Sequence, residues 1–346
     1  EKRERLVKWV EEHPEERVTL QKTLLGIGKK GGNGLSFYLF HAHAKKLEHA
    51  WMYVVMAFLP VVGVALALSI KDAGVFFVMC PVAANIFLYS RKRMALEGEL
   101  ETMQYFSAFL YGAKSMNRKL GRQVKSLGYD LTAALRPFRR VGGLIPGRVQ
   151  QLASNFESFI IFFKTVFLVD LILFNRTVSY LIRYTDELNR LFEIVGDLDT
   201  AICITSFRRS LELYCTPKFH SDNVIRFSEA YHPLLEAPVT NSGCIGNDCI
   251  ITGSNASGKS TFIKTVAVNS VLAQTINTCC AGKYELSFSY VASSMAVRDN
   301  ILSGDSYFVT EIKSLKRIIQ YCKERRCVCV VDEILRGTNT PERLAA

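Results

Sequence analysis

Two stretches of this chain hold no charge at all. Trp51 to Ile70 (WMYVVMAFLPVVGVALALSI) runs for twenty residues without one, and Val75 to Tyr89 (VFFVMCPVAANIFLY) repeats the pattern more briefly. A soluble helix of such length normally keeps a polar face, which argues against a buried pair in a water-soluble core. Cysteine frameworks are missing too. The ten cysteines include no Cys-x-x-Cys and no Cys/His quartet at zinc spacing, so a zinc finger or dithiol redox motif is excluded. Cys327 and Cys329 lie in an apolar run, where free thiols are expected to act as small hydrophobes in a reducing, cytosolic setting. Acid is scarce as well. The formal net charge is +11, and Lys114 to Arg148 holds nine basic residues against one acid, Asp130. That stretch suits nucleic-acid phosphates or an anionic membrane face, or is simply a solvated helical face.

Twenty apolar residues match the thickness of a bilayer core. Lys71 to Gly74 separates the two uncharged stretches, and each holds a proline, Pro60 and Pro81. Membrane helices tolerate such prolines. Lys45-Lys46 precede the first stretch and Arg91-Lys92-Arg93 follow the second. By the positive-inside rule both ends face the cytoplasm. Residues 47–90 therefore read as a transmembrane helical hairpin after an N-terminal cytosolic segment, 1–46. A signal peptide would be shorter and nearer the start. A third apolar stretch, Phe159 to Phe174, is interrupted by Lys164 and Asp170. Six residues apart on one helix these cannot easily pair, and each is costly in lipid. The stretch is expected to be a buried helix of a soluble helical domain, with an embedded or interfacial segment as the alternative.

From Arg91 to about Pro217 the pattern is helical. Met103, Phe106, Phe109 and Leu110 mark one face, and Leu188, Leu191, Phe192, Val195 and Leu198 another. Such spacing buries one stripe of each helix. The second helix is expected to reach Tyr214, with Pro217 ending it. Arg136 to Gly147, with two prolines and three glycines, is a break. Residues 91–220 are thus an all-α scaffold.

Cys249 to Thr252 is a short apolar run, expected to be a strand. It leads into Gly253-Ser254-Asn255-Ala256-Ser257-Gly258-Lys259-Ser260-Thr261, and helical spacing follows at Ile263, Val266, Ala267 and Leu272. This G-x-x-x-x-G-K-[ST] pattern is a P-loop. Gly253 and Gly258 let the backbone wrap phosphates, Lys259 reaches the β and γ phosphates, and Ser260 offers a hydroxyl to Mg²⁺. ATP with Mg²⁺ is the expected cofactor pair. Downstream, Cys327 to Val331 is an apolar strand ending in Asp332-Glu333. There Asp332 would hold the metal and Glu333 would act as general base.

Further motifs narrow the reading. Ile251 to Thr261 (ITGSNASGKST), Ser303 to Glu311 (SGDSYFVTE), Asp332 to Thr340 (DEILRGTNT) and the His-Pro element Tyr231 to Glu236 occur in order. Together they resemble the MutS family of ATPases. The resemblance implies an α/β P-loop NTPase domain of the ABC/MutS type over 221–346, continuing past Ala346, behind an all-α core or lever-like domain. It implies ATP hydrolysis at a composite site in a homodimer, where Ser303 of one subunit contacts the γ-phosphate bound by the other. Departures from the family pattern are Ser254 for a proline, Ser257 for a glycine, and Val239 where an aromatic would meet the adenine. Phe37 to Phe40 does not supply the Phe-x-Glu wedge that probes mispaired bases. The chain is therefore similar to membrane-associated MutS-related proteins, multi-pass and with a cytoplasmic ATPase domain. Two alternatives stand beside that reading. One is a tethered DNA-binding repair factor, with DNA left open as a partner. The other is an ABC-type transport or regulatory ATPase, for which one hairpin supplies too few spans.

Overall fold

A computed structural model describes residues 1–28, 47–69, 74–139, 157–246, 248–295 and 307–332. The described residues are mostly helical, with small sheets, and divide into two compact units, Glu1–Cys203 and Ile204–Ala346.

The first unit is helical among its described residues. Helix α1 (Lys2–Glu12) and helix α2 (Pro14–Ile27) form an N-terminal pair, with Pro14 at the start of α2, where its missing N–H costs nothing. Helices α3 (Ala50–Ser69) and α4 (Gly74–Ala95) hold the two uncharged stretches, with α4 running on through Arg91-Lys92-Arg93. Both are long and apolar enough to cross a membrane, with mean hydropathy 2.2 and 1.2. They pack together along Tyr53, Ala57, Pro60 and Gly63, one stripe of α3. A Cβ at Gly63 would overlap the carbonyl of Phe77, so the backbones meet there without a side chain between them. Outward, α3 shows Val54, Val55, Phe58, Val61 and Val62 to its surroundings. Helix α5 (Glu97–Ser126) opens on acids and closes on Lys125, as the helix dipole favours. Its Met103, Phe106, Phe109 and Leu110 are buried as the spacing implies, and it packs on α2 and on the short α6 (Leu131–Leu135). Most of the Arg136-to-Gly147 break lies outside the described residues.

The third apolar stretch departs from expectation. It is two helices, α7 (Glu157–Val166) and α8 (Val169–Arg183), bent by 69° across a two-residue break. Leu168 takes a left-handed backbone, φ 50°, which L side chains seldom adopt. The bend removes the helical offset that should have kept Lys164 and Asp170 apart. Lys164 Nζ lies 3.8 Å from Asp170 Oδ1, and the Tyr89 hydroxyl donates to Asp170 Oδ2 at 2.8 Å. Breaking a helix frees carbonyls, and one of them is met from outside. The buried Asn85 of α4 donates to Val166 O and to Met56 O, both at 2.8 Å, tying α7 and α3 to α4. Nor is α7 buried, since Phe159, Ile161, Phe162 and Phe163 are exposed.

Helix α9 (Thr185–Ser210) buries Leu188, Leu191, Val195 and Leu198. It stops at Ser210, short of the expected Tyr214. The reason is side-chain pull on the chain beyond it. The Arg208 guanidinium donates to Thr278 Oγ1 at 2.9 Å and to Asn277 O at 3.1 Å. The Tyr231 hydroxyl takes the carbonyl of Leu213 at 2.6 Å, and Cys215 exchanges backbone hydrogen bonds with Cys279.

In the second unit, strands β1 (Lys218–Phe219), β2 (Ile225–Ala230), β3 (Asn241–Ile245) and β4 (Lys283–Leu286) form a sheet in the order β1-β4-β2-β3. The β1–β4 pair is parallel; β4–β2 and β2–β3 are antiparallel. Strands β5 (Tyr290–Ser294) and β6 (Cys327–Val331) pair in parallel, from Tyr290 opposite Cys327 to Ser294 opposite Val331. Helix α10 (Lys259–Ile276) packs on β2, β5 and β6, and α11 (Tyr307–Glu324) lies against β5 and β6. Phe227, Val266, Ala273, Tyr284 and Leu286 centre the core.

Candidate functional site

The glycine-rich loop runs into the N-terminus of α10, as the motif requires. Its backbone takes the left-handed region twice, at Ala256 (φ 62°) and at Gly258 (φ 91°), the residue capping α10. Gly258 adopts that conformation without the Cβ clash any other residue would bring. Alternating left- and right-handed residues turn successive N–H groups inward, and the first turn of a helix adds N–H groups without internal partners. Both features suit an anion of phosphate size. The Lys259 ammonium is drawn over this loop, donating to the carbonyls of Gly253 and Ser254, each at 2.6 Å. Gly253 through Gly258 and Thr261 are exposed, while Lys259 and Ser260 are half-buried in the first helical turn.

Asp332 follows β6, half-buried, and its N–H donates to Ser294 O at 3.1 Å. That bond extends the β5–β6 ladder by one step and holds the acid at the strand's end. Because α10 packs on β6, loop helix and acid-bearing strand belong to one packed group. The hard oxygens of Ser260 and Asp332 suit Mg²⁺, which prefers oxygen ligands. Ser303 and Glu333 lie outside the described residues, as does Arg336 to Thr340. Of the Ser303-to-Glu311 signature, Tyr307 to Glu311 open α11, and Glu311 is buried there.

The expected strand over Cys249 to Thr252 is absent. Ile250 is 90% exposed, and residues 248–252 make no strand pairing. Strand geometry needs a neighbour for its backbone groups, and among the described residues none lies beside this run. Nor do the β6 cysteines act as buried hydrophobes. Cys329 is exposed, its Sγ is 3.2 Å from Cys322 Sγ, and the sulfurs of Cys322, Cys327 and Cys329 lie within 4.8 Å of one another. Val239, considered for the adenine, is also exposed.

The residues that lock α10 in place belong to none of the sequence motifs. Asn269 is fully buried. Its amide donates to Tyr231 O at 3.2 Å and to Thr265 O at 3.0 Å, and accepts from Cys280 N–H at 2.7 Å. One side chain thus binds the His-Pro element, the loop helix and the chain entering β4. The Tyr284 hydroxyl donates to Val266 O at 3.1 Å and meets Ser270. Burial pushes that phenol up, keeping it a neutral donor. A signal was available, because Asn269 falls among the core-facing Val266, Ser270 and Ala273. A polar residue on an apolar stripe demands partners.

Comparisons with known proteins agree with the motif order. Residues 249–346 match the family model MutS domain V. The chain is 30% identical over 185 residues to the DNA mismatch repair protein MutS of Staphylococcus haemolyticus (strain JCSC1435), covering 50% of this chain and 20% of that protein. Against the protein of the same name from Staphylococcus epidermidis (strain ATCC 12228 / FDA PCI 1200) it is 30% identical over 186 residues, covering 50% and 21%. The chain spans about a fifth of the length of these curated relatives. These matches show similarity to MutS proteins over about half of the chain and support a relationship to that family.

Proposed function

We propose that this chain is a membrane-anchored MutS-type ATPase, with ATP and Mg²⁺ bound on the α10 loop in the cytoplasm. The observation that carries it is the glycine-rich loop Gly253 to Gly258, left-handed at Ala256 and Gly258, running into the N-terminus of α10 with the Lys259 ammonium drawn over it, in a segment matching MutS domain V. Bound Mg²⁺ would neutralise charge on the phosphates. On the chain's own side, Gly253 to Thr261 hold the phosphates. Ser260 and Asp332 hold the metal, and Glu333 takes a proton from the attacking water. Ser303 completes the site of a second copy, so the working form is a homodimer. The hairpin of α3 and α4 fixes that machine to the membrane, supported by their apolar outward faces. Residues 37–40 do not read Phe-x-Glu, and mismatch reading forms no part of this proposal.

The test uses the full-length protein in detergent. Lys259→Ala should abolish Mg²⁺-dependent phosphate release and weaken ATP binding at least tenfold, about the loss of one charge-assisted contact. Hydrolysis by the variant at the wild-type rate would overturn the enzyme reading. Recovery of wild-type protein in the soluble fraction without detergent would overturn the anchor.

A second reading has its own support. Arg118, Lys119, Arg122 and Lys125 are exposed on α5, and Arg136 and Arg139 are exposed just after α6. Such a surface suits DNA backbone phosphates. If it binds them, affinity should fall steeply with salt, and neutralising Arg136, Arg139 and Arg140 together should flatten that slope.

A further inference from the structure

A groove of about 460 Å³ opens between the start of α3 and the outer face of α8. That volume is within the range of small-molecule sites. Its lining changes character from one end to the other. Val54 of α3 and Ile172 of α8 make an apolar end, the Trp51 indole makes a wall, and Asn175, Arg176 and Arg183 make a polar, basic end. The α8 residues fall on one helical face, spaced three, four or seven apart. The Asn175 side-chain oxygen accepts from Leu47 N–H at 3.1 Å, which sets it level with the entrance of α3. Asp170, one turn back along α8, takes the Tyr89 hydroxyl near the exit of α4. Helix α8 therefore leads from the hairpin's polar cluster outward past the helix ends. Among the described residues neither guanidinium has a carboxylate partner; Arg183 lies 5.6 Å over the Tyr184 ring.

We propose that this groove binds the headgroup of an anionic phospholipid of the cytoplasmic leaflet. The proposal rests on the reading of α3 and α4 as a membrane hairpin. The phosphodiester lies between Arg176 and Arg183, whose planar forks match phosphate oxygens. The glycerol end meets Asn175 and Trp51, an aromatic at the depth where indoles collect. The acyl chain leaves past Val54 and Ile172 onto the exposed apolar face of α3 at Val55 and Phe58. A free phosphate would satisfy the guanidinia and leave the apolar half wet. A zwitterionic lipid would bring an ammonium to two cations that have no carboxylate partner among the described residues.

The chain holds two tryptophans, Trp9 and Trp51. Trp9→Phe leaves Trp51 as the sole reporter in the full-length protein, reconstituted in phosphatidylcholine with a minor fraction of brominated lipid. Brominated phosphatidylglycerol should quench Trp51 several-fold more than brominated phosphatidylcholine at equal mole fraction. Arg176→Gln and Arg183→Gln should each bring that preference most of the way to parity, and the Lys variants should keep part of it. Arg190→Gln, an exposed basic residue on α9 outside the groove, should leave it unchanged. Equal quenching by both lipids, or an equal loss in Arg190→Gln, overturns the site while leaving the hairpin intact. Displacement of brominated phosphatidylglycerol by millimolar inorganic phosphate overturns the lipid assignment. An absence of quenching by either lipid overturns the hairpin reading and the site with it.

Discussion

Asn269 carries three hydrogen bonds from a site with no access to water. Replacing it with alanine leaves the Cys280 N–H and the Tyr231 carbonyl buried without this partner. That should cost roughly 1–3 kcal/mol, read as a lower denaturation midpoint and faster proteolysis of the second unit. Asn269→Asp should also destabilise, since a carboxylate cannot donate to the two carbonyls. Asp130 makes a pH-dependent contribution. Its carboxylate caps α6 through Ala133 N–H at 3.0 Å and pairs with Lys125 at 3.0 Å. First the backbone N–H and then the ammonium hold it below its ordinary 3.8. A depressed folded pKa gives stability that is present above the unfolded value and lost as pH falls through the folded one. Asp130→Ala should therefore cost about 1 kcal/mol at neutral pH and progressively less below pH 4, whereas Asp130→Asn should keep the cap and lose the pH dependence. A titration of thermal stability from pH 7 to 3 separates the two.

Helix α7 depends on a partner from a different helix. Its last carbonyl, Val166 O, is freed by the bend at Phe167-Leu168 and is taken by Asn85. Asn85→Leu should destabilise the packing of α7 on α4 by about 0.5–2 kcal/mol, the range for polar contacts in helical membrane proteins. Hydrogen exchange of the α7 amides should report it. Gly63→Leu acts on the hairpin itself, because any side chain there meets the Phe77 backbone. Its expected outcome is loss of α3–α4 cross-linking between cysteines placed across the seam, with membrane insertion retained. The polar interruptions at Lys164 and Asp170 were legible in the sequence, and so was their cost. Their solution was not, because it needs a left-handed leucine and a tyrosine about eighty residues away in sequence.

At the scale of the molecule, the composite-site reading makes a prediction that no single-subunit ATPase shares. On that reading Lys259→Ala would disable a site through its own loop, and Ser303→Ala would disable the partner's site. In a mixed dimer of the two variants both lesions fall in one site and the other is intact. Random mixing of two inactive preparations should then restore about a quarter of wild-type turnover, measured as phosphate release after subunit exchange. No recovery would count against pairing across subunits. The two compact units meet in sequence inside α9, so each can be probed by mutation while the full chain is kept.

What the sequence determined by itself was local. The run from Gly253 to Thr261 places a glycine-rich loop at a helix start, because the glycines and the helical spacing that follows act over a few residues. The uncharged stretches at 51–69 and 75–89 become long apolar helices for a similar reason: few polar side chains along either run compete for the backbone groups, so their hydrogen bonds close within the helix. Tertiary structure decided what depends on distant partners. It bent the third apolar stretch, stopped α9 at Ser210, withheld a strand from 249–252, and brought Cys322 to Cys329. It also set two arginines of α8 beside a tryptophan of α3. A strand, a buried amide or a groove exists only when residues far apart in sequence supply its other side, and that supply is a property of packing.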